Sequence, residues 1–254
     1  MKPFFWLSIF LILIISGCAL MERRQKEEAA QIRKLGEAFL AEKKYVSAYR
    51  ELQKAMEMDP TNAHVHYDLG LFYFEKKKYD TAIEYFQKAL AINPDFAAAR
   101  NNLGVVYMEL KEWDKAIETL VPLTDNYLYA TPHFPQFLTG QAYFHKKDYT
   151  RALEHFQASQ ELKPDFPFAA HWMGKTYLEM RKPDKAIIAL EKALKIKPDV
   201  PAFLFDLGRA YDAAGNFKKA EDAFEKTVSL TTEEALKKNA LEELRLVRKK
   251  ACGR

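Results

Sequence analysis

Residues 63–96 read AHVHYDLGLFYFEKKKYDTAIEYFQKALAINPDF, and the reading of this stretch decides the fold. In it, Leu69-Gly70 is followed three residues later by an aromatic, Tyr73, and twelve residues later by an alanine, Ala82. A large apolar residue, Phe86, comes four further on, and Pro94 closes the unit. Working outward, the same spacing recurs on both sides. The glycines are Gly36, Gly70, Gly104, Gly140, Gly174 and Gly208, at intervals of 34, 34, 36, 34 and 34 residues. Their aromatics are Phe39, Tyr73, Tyr107, Tyr143, Tyr177 and Tyr211, and their alanines are Ala48, Ala82, Ala116, Ala152, Ala186 and Ala220. The large partners are Leu52, Phe86, Leu120, Phe156, Leu190 and Phe224, and Pro60, Pro94, Pro164 and Pro198 end four units.

The physical sense is a helical hairpin repeated six times. Glycine and alanine let two antiparallel helices approach closely, and the large residue fills the adjoining layer. A proline between units cannot continue a helix and so sets the turn. No such hairpin buries its faces alone, so neighbours must stack and the last must be capped. This pattern resembles the tetratricopeptide repeat across about residues 29–234. The resemblance implies an all-α, right-handed superhelix of six repeats, at 29–62, 63–96, 97–132, 133–166, 167–200 and 201–234, with residues 235–254 as a C-terminal capping helix and tail. Thr231 and Glu234 have the spacing of a capping box. Leu236, Ala240, Leu241, Leu244 and Val247 then form one apolar stripe, and Arg248, Lys249 and Lys250 suit the C-terminal helix dipole.

The third repeat departs from its siblings. Pro122 falls inside its second helix, where it removes a backbone hydrogen bond and predicts a kinked or shortened helix. The segment from Thr124 to Pro132 adds two residues and predicts an aromatic loop between two three-repeat halves.

The N-terminus reads as an address. Lys2 is the only charge before Glu22, and the apolar run from Phe4 to Ile15 leads into Ser16-Gly17-Cys18. A positive start, a short apolar core and small residues at the exit describe a secretory signal peptide over residues 1–17. Ile15-Ser16-Gly17-Cys18 is similar to the bacterial lipobox, which implies cleavage before Cys18 and acylation there. At about 0.8 kcal/mol per buried methylene, two or three acyl chains hold a soluble domain on a bilayer. Residues 18–28 then serve as lipid anchor and short tether. Ala19, rather than aspartate, follows the cysteine, which by similarity points to the outer membrane with the repeats facing the periplasm.

Composition narrows the function classes. A net charge of +4 is spread with mixed signs along the chain, without the one-signed stripe that nucleic acid demands. The two cysteines lack the spacing of a zinc or redox site. No His-Glu-x-x-His, phosphate loop or serine elbow occurs, so no enzyme activity, cofactor, metal or small-molecule substrate is expected.

In tetratricopeptide arrays the first helix of each hairpin lines a concave groove. Carried onto this chain, the groove positions are Tyr67, Leu71 and Phe74; Asn101, Val105 and Met108; Phe134, Phe137 and Phe144; Phe168, His171 and Leu178; and Phe205 and Arg209. The clamp for acidic tails is missing, since Glu37, Asp68, Ala98 and Asn102 stand at its places. An apolar groove suits an amphipathic helix or extended peptide of a protein partner. Lipobox, tether, six repeats, the stretch Ala98-Ala99-Arg100-Asn101-Asn102-Leu103-Gly104 and Asp125-Asn126-Tyr127-Leu128-Tyr129 together resemble the PilF/PilW/Tgl pilotins, the type IV pilus biogenesis lipoproteins. That resemblance implies a scaffold that binds a secretin subunit and assists its outer-membrane localisation and multimerisation. The alternative is a periplasmic adaptor lipoprotein that brings a protease or cell-wall enzyme to its client.

Overall fold

The structure is a computed structural model that describes residues 3–124 and 131–252, with side chains from residue 20 onward. Thirteen helices and no strand are found among the described residues. They form two compact units, one up to Leu110 and the other from Lys111.

The first unit holds α1 (Pro3–Ala41), α2 (Tyr45–Met58), α3 (Ala63–Glu75), α4 (Tyr79–Ile92) and α5 (Ala97–Glu109). The second holds α6 (Trp113–Thr124), α7 (His133–His145), α8 (Tyr149–Leu162), α9 (Pro167–Glu179), α10 (Pro183–Ile196), α11 (Pro201–Ala213), α12 (Phe217–Leu230) and α13 (Glu234–Cys252). Hairpins α1/α2, α3/α4, α7/α8, α9/α10 and α11/α12 pack internally, and neighbouring hairpins pack within each unit.

The repeat residues do what their spacing predicts. All six alanines and all six large partners are fully buried, at 0% exposure. A Cβ built on Gly70 would meet the Phe86 ring at 2.6 Å, on Gly140 the Phe156 ring at 2.7 Å, and on Gly208 the Phe224 ring at 2.6 Å. Helix approach this close requires glycine. Each hairpin turn uses a left-handed residue: Lys43, Lys77, Lys111, Lys147, Arg181 and Gly215, with φ between 56° and 77°. At Lys77 the amide donates to the Phe74 carbonyl (2.8 Å) and the Lys78 amide to the Tyr73 carbonyl (2.9 Å), a Schellman ending. The repeated aromatic is therefore also the residue whose carbonyl closes the first helix.

The departures have physical causes. Pro122 does sit inside α6, which is described from Trp113 to Thr124. The Thr124 carbonyl accepts from the buried Gln136 Nε2 at 3.2 Å, tying α6 to α7. The compact units divide at Leu110 and Lys111, within the third repeat, rather than at the 124–132 segment. Residues 125–130 of that predicted aromatic loop lie outside the described residues.

At the C-terminus, Thr231 Oγ1 accepts from the Glu233 amide (3.2 Å), so the bond expected of a Thr231–Glu234 capping box goes one residue short. Ala240, Leu244 and Val247 of α13 are buried, but Leu241 faces outward at 48% exposure. The basic end of α13 makes ion pairs rather than merely compensating a dipole. Arg248 bonds Glu221 (2.8 Å) and Glu225 (2.5 Å), and Lys250 bonds Asp212 (2.6 Å).

Candidate functional site: the first-helix face

In the first unit, α1, α3 and α5 are the first helices of their repeats, and a polar ladder joins them. Arg33 Nη1 donates to Asp68 Oδ2 at 2.6 Å and to Glu37 Oε2 at 3.0 Å. One repeat on, Asn102 Nδ2 donates to the Tyr67 hydroxyl at 2.9 Å. Both contacts link the residue three before one repeat's glycine to the residue two before the next repeat's glycine. Asp68 is 2% exposed, and burial pushes its carboxyl up to about 6 from 3.8, against the opposing pull of the Arg33 guanidinium. Beside the ladder, Leu71, Phe74, Val105 and Met108 are half-buried, as is Tyr67, whose ring meets Phe86 at 5.9 Å and Phe96 at 5.0 Å.

The second unit carries the equivalent ladder in different chemistry. The Phe137 and Trp172 rings meet edge-on at 6.4 Å, and His171 Nε2 lies 2.8 Å from Asp206 Oδ2. Phe134 and Phe137 converge on Phe166, at 6.5 and 5.1 Å. A second cluster stands toward the hairpin turns. Trp113 stacks on His145 at 4.4 Å, Phe144 meets Trp172 edge-on at 5.2 Å, and Lys175 Nζ sits 4.1 Å above the Trp172 ring. Burial and the charges of Lys175 and Lys111 lower the His145 pKa, so its imidazole is neutral at pH 7.

Three predicted groove residues are corrected. Asn101 and Phe137 are each only 7% exposed and belong to the packing, Phe137 lying edge-on to Trp172 of the next first helix. His171 is likewise closed off at 8%, stacked on Phe203 at 4.3 Å. Phe134, Phe144, Leu178 and Phe205 are half-buried, Phe205 lying 5.7 Å from Phe224. Phe168, 40% exposed, and Arg209 are open. The sequence reading missed Trp113, His145, Trp172 and Lys175. The available signal was Trp172 itself, an indole where the other repeats carry Lys34, Asp68, Asn102, Leu138 and Asp206.

Among the described residues, no three His, Cys, Asp or Glu side chains gather as a metal cluster, and no helix is long and apolar enough to cross a membrane. Cys252 is a free, exposed thiol.

Two family models, both described as tetratricopeptide repeat, match residues 73–127 and 177–237, and residues 33–95 and 136–167. The chain belongs to the tetratricopeptide-repeat family. As a tetratricopeptide scaffold it carries the fold of a protein-interaction module. No curated protein matches it in sequence. Among solved structures, it is similar to PilF of Pseudomonas aeruginosa, with TM-score 0.75 and 21% identity over 86% of this chain and 99% of that one. It is similar to PilW, described as a widely conserved type IV pilus biogenesis factor, with TM-score 0.75 and 20% identity over 84% of this chain and 98% of that one. The MamA protein matches with TM-score 0.60 and 27% identity, over 68% of this chain and 93% of that one. Identities of 20 and 21% speak for a shared tetratricopeptide fold.

Proposed function

We propose that this chain is a pilotin: a scaffold held by acyl chains on Cys18 in the outer membrane, facing the periplasm, that assists localisation and multimerisation of a type IV pilus secretin. The observation that carries this reading is the extent of the likeness to PilF and PilW. It takes in 99% and 98% of those chains, nearly the whole of each rather than a shared hairpin or two. The lipobox ending in Cys18 supports the same reading, since a secretin chaperone bound for the outer membrane needs an address and an anchor.

The secretin segment would lie on the first-helix face of the first unit, the one nearest the anchor. Leu71, Phe74, Val105 and Met108 are half-buried there, exposed enough to touch a partner and packed enough to hold their shape. Such a surface suits an apolar peptide face. Glutamate placed singly at Phe74, Val105 or Met108 should abolish heat-resistant secretin multimers while leaving the helical circular dichroism unchanged. The Cys18→Ser protein should be released from the membrane and leave the secretin mislocalised. Normal multimers in all the glutamate variants, at normal protein levels, would refute the assignment.

A further inference from the structure

Three departures from the repeat pattern converge on one spot in the second unit, on the side away from the first-helix face. Two residues beyond the repeat alanine, five repeats carry a charge, as Arg50, Glu84, Glu118, Glu154 and Asp222. The fifth repeat instead has Ile188, which is 69% exposed. Eight residues beyond the alanine stand Met56, Leu90, Thr124, Leu194 and Val228, but the fourth repeat has Gln160, only 6% exposed. Four residues before the glycine stand Ile32, His66, Arg100, Gln136 and Leu204, but the fifth repeat is cut back to Ala170.

The missing bulk at Ala170 opens a cleft of about 390 Å³ between α8 and α10, floored by α9, and all three residues line it. Met173 and Tyr177 add apolar floor. Gln160 Nε2 donates to the Pro164 carbonyl at 2.8 Å, whereas its Oε1 meets no donor. A buried acceptor without a donor costs stability, as does an exposed isoleucine at a place where charge is otherwise the rule. Both costs fall if something covers Ile188 and donates to Gln160. The rim carries Lys185 and Lys192, which form no ion pair among the described residues, against one acid, Glu161, whose Oε1 already accepts from Gln157 at 3.0 Å.

We propose that this cleft is a second protein-docking site, for a partner segment that carries one large apolar side chain beside a carboxylate. The apolar side chain fills the space over Ala170 against Met173 and Ile188. A backbone N–H of the segment donates to Gln160 Oε1, and its carboxylate sits between Lys185 and Lys192. The site lies apart from the first-helix face, so it stands whether or not the partner there is a secretin.

The test uses the full chain in detergent micelles and labelled Gly/Ser decapeptides with a central Trp-Glu, Trp-Lys or Ser-Glu pair, read by fluorescence anisotropy. The Trp-Glu peptide should bind saturably, and the other two at least about tenfold more weakly. Ile188→Glu restores the charge of the sibling repeats, and Gln160→Leu restores the leucine of Leu90 and Leu194. Each should weaken Trp-Glu binding by at least about tenfold, with the melting temperature unchanged or raised. Absent or equal binding of the three peptides, or binding that survives both variants, overturns the proposal. So does binding lost in Phe144→Ala but kept in Ile188→Glu, which would place the peptide on the first-helix face. A dimer in sedimentation that Ile188→Glu dissolves, without peptide binding, would make the occupant a second copy and equally overturn it.

Discussion

At the scale of the residue, Asp68 shows how the first-helix face couples charge to stability. It is 2% exposed, and its only ion pair among the described residues is with Arg33, which it shares with Glu37. Burial outweighs that attraction, so the carboxyl titrates at about 6 rather than 3.8. The sign follows from linkage. An acid whose folded pKa is raised stabilises the fold while protonated, fully below its unfolded pKa, and loses that contribution as pH rises through about 6. Across pH 4 to 7 the loss should be about 2 kcal/mol, since each tenfold change in proton affinity is worth about 1.4 kcal/mol. Asp68→Asn removes the titration. The stability of wild type minus that of Asp68→Asn, from urea unfolding, should fall over this window and then level off. A difference that does not change with pH would show that the Arg33 guanidinium offsets the burial of the carboxylate. Nothing in the sequence announces this pair, because its members stand 35 residues apart and meet only once two repeats have stacked.

Elements were more legible than the surfaces they carry. Helix pairing, the buried alanines and the glycine contacts all follow from a spacing that recurs six times, because each is fixed inside one hairpin. The turn conformation was hidden by chemistry. Five of the six left-handed positions inside the hairpin turns are Lys or Arg, and only Gly215 looks like what it does. A non-glycine residue in that region costs on the order of 1 kcal/mol. Lys77, exposed and at φ 56°, is the clearest case. Lys77→Gly should raise stability by roughly 0.5–1 kcal/mol in chemical denaturation, since the relief of strain exceeds glycine's extra unfolded-state entropy. Gly215→Ala should lower it by a similar amount, although an added Cβ there meets nothing within 4 Å, so the penalty is conformational alone. Groove positions were harder to read. Within the second unit the residue three before a glycine is claimed both by the groove and by the next first helix, and for Phe137 and His171 the neighbour prevailed.

At the scale of the whole molecule, a stacked array is stabilised by nearest-neighbour interfaces, and its ends are the exposed terms. Helix α13 closes the second unit by burying Ala240, Leu244 and Val247, with Leu244 and Val247 in one core with Leu207, Ala210, Tyr211 and Phe224. Ending the chain after Thr231 would uncover that core and leave Glu221, Glu225 and Asp212 without Arg248 and Lys250. Re-exposing two or three such side chains is worth about 3–6 kcal/mol, at about 1.5–3 kcal/mol each for the larger ones, and the exposed ion pairs add little. The tryptophans allow the loss to be located. They are Trp6, Trp113 and Trp172, so in a Trp6→Phe background the indole emission comes only from the second unit. In that background the truncated chain should show its tryptophan-monitored denaturation midpoint moved to lower urea. Tyrosine-rich α3 and α4, followed by hydrogen exchange in the first unit, should keep their protection better than α11 and α12. A tryptophan transition that stays in place would mean that the sixth repeat needs no cap, and that the buried face of α13 is dispensable to the array.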